Sequence, residues 1–226
     1  MRNQRLLPII GILIVAIGVL AGAVFMYKTR KLSASTEKEA AIEQIRESIR
    51  GEWLVSDSIS TGTDLVFYHF SSETCTCRQG EKTVFECSYE IDQNSHLILQ
   101  DPKAEYIIEN LTDHFYKLVA TQNGSVTAIL RYKEQSALSE DSIVGQWRVL
   151  VHGGTRADRE TLTFEDQKFV LKKKDKESVS STYIWKQPSE IVIDEPRINM
   201  IVVPYDEDCI YLIEKGKGYV WEIVRE

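Results

Sequence analysis

Ile49-Arg50-Gly51-Glu52-Trp53 returns as Ile143-Val144-Gly145-Gln146-Trp147, so the Gly-x-Trp ending at position 53 is repeated at position 147, a shift of 94 residues. The same shift carries Phe70 onto Phe164, Tyr89 onto Tyr183 and Arg131 onto Arg225. Self-similarity at a fixed offset marks a duplicated structural unit. Two copies, at 49–133 and 143–226, fill most of the chain, with 134–142 as the linker between them. Each copy has roughly 85 residues, near the lower limit at which one hydrophobic core stabilises a domain unaided.

After each tryptophan the chain breaks into short alternating runs. In the first copy they lie near 52–58, 64–70, 73–79, 82–91, 96–100, 104–109, 114–120 and 125–132. In the second they lie near 146–152, 160–165, 168–173, 178–185, 190–194, 198–203, 208–214 and 218–225. Phe85, Cys87, Tyr89 and Ile91 alternate with Glu86, Ser88 and Glu90, as a strand with one buried face requires. Turn formers separate the runs, among them Gln79-Gly80, Asp101-Pro102, Asn123-Gly124 and Gly153-Gly154. Eight short strands in meander order predict an all-β protein built of two antiparallel barrels or sandwiches.

The Gly-x-Trp on a first strand, a short helical lead-in, eight strands and an arginine on the last strand together resemble the lipocalin-like (calycin) pattern. The resemblance covers 49–133 and 143–226. It implies two tandem eight-stranded meander barrels, in each of which the first-strand tryptophan packs at the closed end and the last-strand arginine lies across it. The barrel-closure pairs are then Trp53 with Arg131 and Trp147 with Arg225, and in both copies the arginine follows the tryptophan by 78 positions. The pairing has a physical basis of its own. A closed barrel must bond its first strand to its last, and a guanidinium stacked on a partly desolvated indole gains about 1–2 kcal/mol. These copies are about half the length of typical lipocalins, so each interior is small enough for its own side chains to fill.

The N-terminal stretch reads differently. Leu6 to Tyr27 carries no charged residue, with Arg2 and Arg5 before it and Lys28, Arg30 and Lys31 after it. A run of roughly 20 apolar residues spans a bilayer as a helix. Residues 1–27 therefore read as a transmembrane signal anchor, although Ala21-Gly22-Ala23 also offers a small-x-small cleavage signature. The short basic head predicts that the barrels lie on the extracytoplasmic side, periplasmic or extracellular. Residues 28–48 read as a helical linker: Thr36 and Glu39 fit a capping box, and Ile42, Ile45 and Ile49 form one stripe.

Net charge is −7 over 226 residues, and the longest basic run, Lys172-Lys173-Lys174, is followed by Asp175 and Glu177. No coherent basic face favours nucleic acid. Cys75 and Cys77 are two apart on one strand and share a face; a three-residue turn at 80–82 sets Cys87 opposite Cys75. These three read as buried thiols, as a disulfide, or as a soft-metal or redox site with His69 or His96 assisting. Cys209 has no counterpart in the other copy and no evident partner. The four histidines, His69, His96, His114 and His152, sit singly at strand ends or turns. Neither a nucleophile elbow nor a phosphate-binding glycine loop is present.

The expected function is that of a membrane-anchored, non-enzymatic protein of the cell envelope, without cofactor, binding a small apolar ligand or a protein partner. The short linker makes the junction between the copies a candidate binding surface. The alternative is an envelope sensor of metal or redox state using Cys75, Cys77 and Cys87.

Overall fold

The computed structural model describes residues 38–61, 64–133 and 138–226. The predicted transmembrane anchor lies outside them; among the described residues no helix is long and apolar enough to cross a membrane. Helix α1 covers 38–49. Its stripe is visible as burial: Ile42 is buried and Ile45 half-buried between exposed neighbours, and Ile49 is buried between half-buried ones.

The first copy contains β1 (Gly51–Val55), a short helix α2 (Ser56–Thr61), β2 (Val66–Phe70), β3 (Thr74–Gln79), β4 (Lys82–Ile91), β5 (His96–Gln100), β6 (Lys103–Thr112), β7 (Phe115–Ala120) and β8 (Val126–Arg131). Each strand pairs antiparallel with the next and β8 pairs with β1, closing an eight-stranded barrel. The second copy contains β9 (Gly145–His152), β10 (Thr155–Glu165), β11 (Lys168–Lys173), β12 (Lys176–Lys186), β13 (Glu190–Ile193), β14 (Ile198–Pro204), β15 (Cys209–Glu214) and β16 (Val220–Arg225). It closes in the same way, β16 on β9. The molecule is all-β, with two meander barrels in tandem.

The run expected as strand over 52–58 ends at Val55 and turns into α2. Ser58 explains the turn: its hydroxyl donates to Val55 O at 2.7 Å and accepts from Val66 N at 3.0 Å, which ties the helix to the start of β2. Short polar side chains bond to nearby backbone in this way and compete with strand pairing.

Both interiors are packed with their own side chains. The second is filled by Trp147, Leu162, Phe164, Phe169, Tyr183 and Leu212, among others, each at most 2% exposed. In the first, Trp53, Phe70, Leu97, Tyr116 and Ile129 are equally buried. The repeat is conserved down to ring geometry. Phe70 meets Tyr89 at 5.3 Å between ring centroids, edge to face, and Phe164 meets Tyr183 at 5.2 Å in the same manner.

The clasp at the closed end is also duplicated. Arg131 lies opposite Trp53 in the ladder, with its guanidinium carbon 4.3 Å from the indole centre. Arg225 lies opposite Trp147 at 4.4 Å. Trp53 Nε1 donates to Ile49 O at 2.6 Å, and Trp147 Nε1 donates to Ile143 O at 2.8 Å. Arg131 donates to the carbonyls of Ser48 and Arg50; Arg225 donates to those of Ser142, at 2.9 Å, and Val144, at 3.2 Å. The glycine of each Gly-x-Trp now has a cause. Gly51 and Gly145 have φ of +111° and +129°, and a Cβ at either would press on Nη1 of the clasping arginine, at Gly145 from 3.2 Å.

Candidate functional site at the barrel junction

The outer faces of the two barrels do not both meet water. Leu54 of β1, Ile59 of α2, Phe115 of β7 and Leu130 of β8 pack with Val151 of β9, Tyr211 and Ile213 of β15 and Val220 of β16 in one buried cluster. All eight are at most 6% exposed, or nearly fully buried. Ser48–Glu226 accordingly forms a single compact unit. A register shift on the β9 ladder between Glu222 and Ile223 helps to build this face. Trp147 and Val149 point into the second barrel, whereas Val151, two residues on, joins the outer cluster. A bulge breaks the two-residue alternation in this way and re-aims a side chain.

At one edge of this apolar contact sits a polar group that is as deeply buried as the core. Glu222 alternates with the inward-facing Trp221 and Ile223 on β16, points outward at the first barrel, and is 0% exposed. Thr112 at the end of β6 donates to Glu222 Oε2 at 2.5 Å. His114, in the β6–β7 turn, has Nδ1 3.5 Å from Glu222 Oε1. Cys209, the first residue of β15, has Sγ 3.9 Å from the same oxygen. The His114 ring lies against Tyr205 at 4.4 Å, and its backbone carbonyl accepts from the Tyr211 hydroxyl at 3.1 Å. Burial, followed by the Glu222 and Asp206 charges, pushes the Cys209 thiol well above its ordinary pKa. Burial likewise raises Tyr211. Thr112 and His114 of the first barrel and Cys209 of the second thus converge on one carboxylate.

Beside the junction is a cavity of about 340 Å³. Leu54, Ile59 and Tyr132 line it from the first copy and Ile201, Val203 and Pro204 from the second. Lys133 stands at its wall, with Nζ 4.4 Å from the centre of the Tyr205 ring.

Comparison with protein-family models, curated proteins and solved structures found no match to this chain.

The structure brings Cys75 opposite Cys87 on the β3–β4 ladder and sets Cys77 beside them, all three buried as free thiols. Burial raises the pKa of Cys75 and of Cys77, so neither offers thiolate at neutral pH. The histidines named as assistants lie elsewhere: His69 pairs with Thr76 and Glu52, and His96 Nδ1 is 2.7 Å from Glu105. Cys209 does have a partner, Glu222 of the adjacent strand.

A second buried carboxylate, Glu160 of β10, belongs to the second barrel alone. It is 2% exposed, is hydrogen-bonded by His152 and is 2.8 Å from Lys173 Nζ, while the His152 ring lies 4.0 Å from that of Trp221. Burial alone raises the Glu160 carboxyl, but hydrogen bonds from Lys173 and His152 outweigh it and hold the group below its ordinary pKa.

The residues that build the junction were singled out by no motif. Their signal is departure from the repeat: Glu222 stands where the first copy has Ala128, and Cys209 where it has Phe115.

Proposed function

We propose that this chain is a membrane-anchored, non-enzymatic, lipocalin-like protein of the cell envelope, anchored through Leu6–Tyr27 with its barrels on the extracytoplasmic side. It binds a small apolar ligand, or an apolar side chain of a protein partner, between its barrels rather than inside either one. The observation that carries this reading is the junction cavity. At about 340 Å³ it exceeds the roughly 300 Å³ at the low end of ligand sites, and its walls come from both copies. The barrel interiors, by contrast, are occupied by Trp53, Tyr116, Trp147 and Tyr183. Lys133 supplies one cation at the wall, which favours an apolar molecule with an acidic end. A sensor built on Cys75, Cys77 and Cys87 is less favoured, because burial raises the pKa of Cys75 and Cys77 and neither His69 nor His96 stands beside the three thiols.

The test is titration of the full chain, in mild detergent, with a fluorescent fatty acid. Saturable binding at one site, weakened at least about tenfold by Val203→Trp, supports the reading. No binding, or binding unchanged by that substitution, overturns it.

A further inference from the structure

We propose that His114, Cys209 and Glu222 bind one zinc(II) ion across the junction of the two barrels. These three present one ligand atom each, all within 4.8 Å of one another, and they form a group of the kind that holds a metal. The separations are informative. His114 Nδ1 stands 3.5 Å and Cys209 Sγ 3.9 Å from Glu222 Oε1. Those distances are long for strong hydrogen bonds to a carboxylate, which fall near 2.7–2.9 Å for a charged N–H donor. They match the edges of a zinc tetrahedron. Bonds of about 2.0–2.1 Å to nitrogen and oxygen and about 2.3 Å to sulfur give edges of about 3.3–3.6 Å, so the two edges that meet at Glu222 Oε1 need only a few tenths of an ångström of closure, while the third, between His114 and Cys209, lies within 4.8 Å and closes by a turn of the part-exposed His114 side chain.

Charge points the same way. A carboxylate at 0% exposure calls for a compensating positive charge. Here its close contacts are a threonine hydroxyl, a thiol and an imidazole. Zinc(II), one thiolate and one carboxylate sum to zero, and binding releases the Cys209 proton to solvent. Imidazole, thiolate and carboxylate together are a ligand set that zinc accepts. The surroundings hold the ligands in place. Thr112 occupies Oε2 and leaves Oε1 facing His114 and Cys209, while Tyr205 and Tyr211 fix the His114 ring and backbone. The His114 side chain is 34% exposed, which gives an ion a way in from solvent. Three protein ligands leave a fourth position for water or for a group on a partner. Because His114 belongs to the first barrel and the other two ligands to the second, the ion fastens one copy to the other.

The experiment is cobalt(II) titration of the full chain in mild detergent, followed by displacement with zinc. The expected result is one equivalent of tetrahedral cobalt with a thiolate charge-transfer band, removed by zinc. Cys209→Ser abolishes the band. His114→Ala and Glu222→Gln each weaken zinc binding at least about tenfold, and Thr112→Val weakens it to a smaller extent. Cys75→Ser leaves the band unchanged. Absence of the band from the unmodified protein overturns the proposal without reliance on any variant. A band that survives Cys209→Ser but is lost in Cys75→Ser overturns it as well, by placing the metal inside the first barrel.

Discussion

Ile107, Val119 and Val126 form a row across β6, β7 and β8 on the outside of the first barrel; Ile201, Ile213 and Val220 form the same row, 94 residues later, on the second. In the first barrel Ile107 is 41% and Val126 52% exposed. In the second, Ile213 is 0% and Val220 1% exposed, beneath the first barrel. The rows are nearly identical in chemistry and opposite in fate. The contact that covers one of them runs head to tail: the first barrel offers Leu54, Ile59, Phe115 and Leu130, whose counterparts in the second are Arg148, Gly153, Cys209 and Val224. A head-to-tail contact between equivalent units propagates unless something stops it. Here the exposed Arg148 stands where Leu54 does, so the second barrel lacks the apolar patch that would receive another row. Duplication preserved the residues that close each barrel, and divergence of the outer faces decided which barrel covers which.

The largest expected effect tests that contrast directly. Val220→Asp buries a charge in the junction and is expected to cost about 3 kcal/mol or more. Val126→Asp, at the equivalent exposed site, is expected to stay within about 0.5 kcal/mol. Urea unfolding of both variants reads the difference, and equal midpoints would refute the buried junction. Next come the clasps. Gly51→Ala strains a left-handed backbone and drives Cβ onto the Arg131 guanidinium, for an expected loss of about 2–3 kcal/mol. Gly145→Ala meets Arg225 at 3.2 Å, a contact that a small shift relieves, and is expected to cost about 1 kcal/mol. Arg131→Met is expected to lose about 1–2 kcal/mol by thermal melting, from its indole contact and two carbonyl bonds. Arg225→Met loses less, because its side chain is 36% exposed. The smallest effect separates the barrels by pH. Glu160 exists only in the second, where the first has Val66. Its folded pKa is depressed, so its contribution is complete above the ordinary glutamate value of about 4.3 and is lost as pH falls through the lower folded value. Between pH 7 and pH 3 the unmodified protein should therefore lose more stability than Glu160→Gln.

How much of this was legible depends on which face of a strand a residue occupies. Trp53, Arg131, Trp147 and Arg225 sit on inner faces or at the closed end, where the repeat constrains both copies alike, and the offset of 94 displays them. The junction is an outer-face property and obeys no repeat. A trace of it was nevertheless present. β4 alternates because one of its faces meets water, whereas Cys209-Ile210-Tyr211-Leu212-Ile213 and Val220-Trp221-Glu222-Ile223 do not alternate at all. Unbroken apolar strands are buried on both faces, and a glutamate inside such a run needs a partner. That partner, His114, is more than a hundred positions away and on another barrel, beyond the reach of local spacing. Helix α2 leaves a different trace: Ser56-Asp57-Ser58 interrupts the alternation between Val55 and Ile59, and the Ser58 hydroxyl bonds back to the Val55 carbonyl to make the turn.

One consequence of the clasp is mechanical. Arg131 sits on the last strand of its barrel but grips the carbonyls of Ser48 and Arg50, just ahead of the first strand. The chain enters β1 and leaves β8 at the same end of the ladder, so tension arriving along the N-terminal segment peels the two strands apart from the Trp53–Arg131 rung, and the clasp sits where that peeling must begin. Arg225 does the same for Ser142 and Val144, so a pull that separates the two copies meets a second latch of the same design.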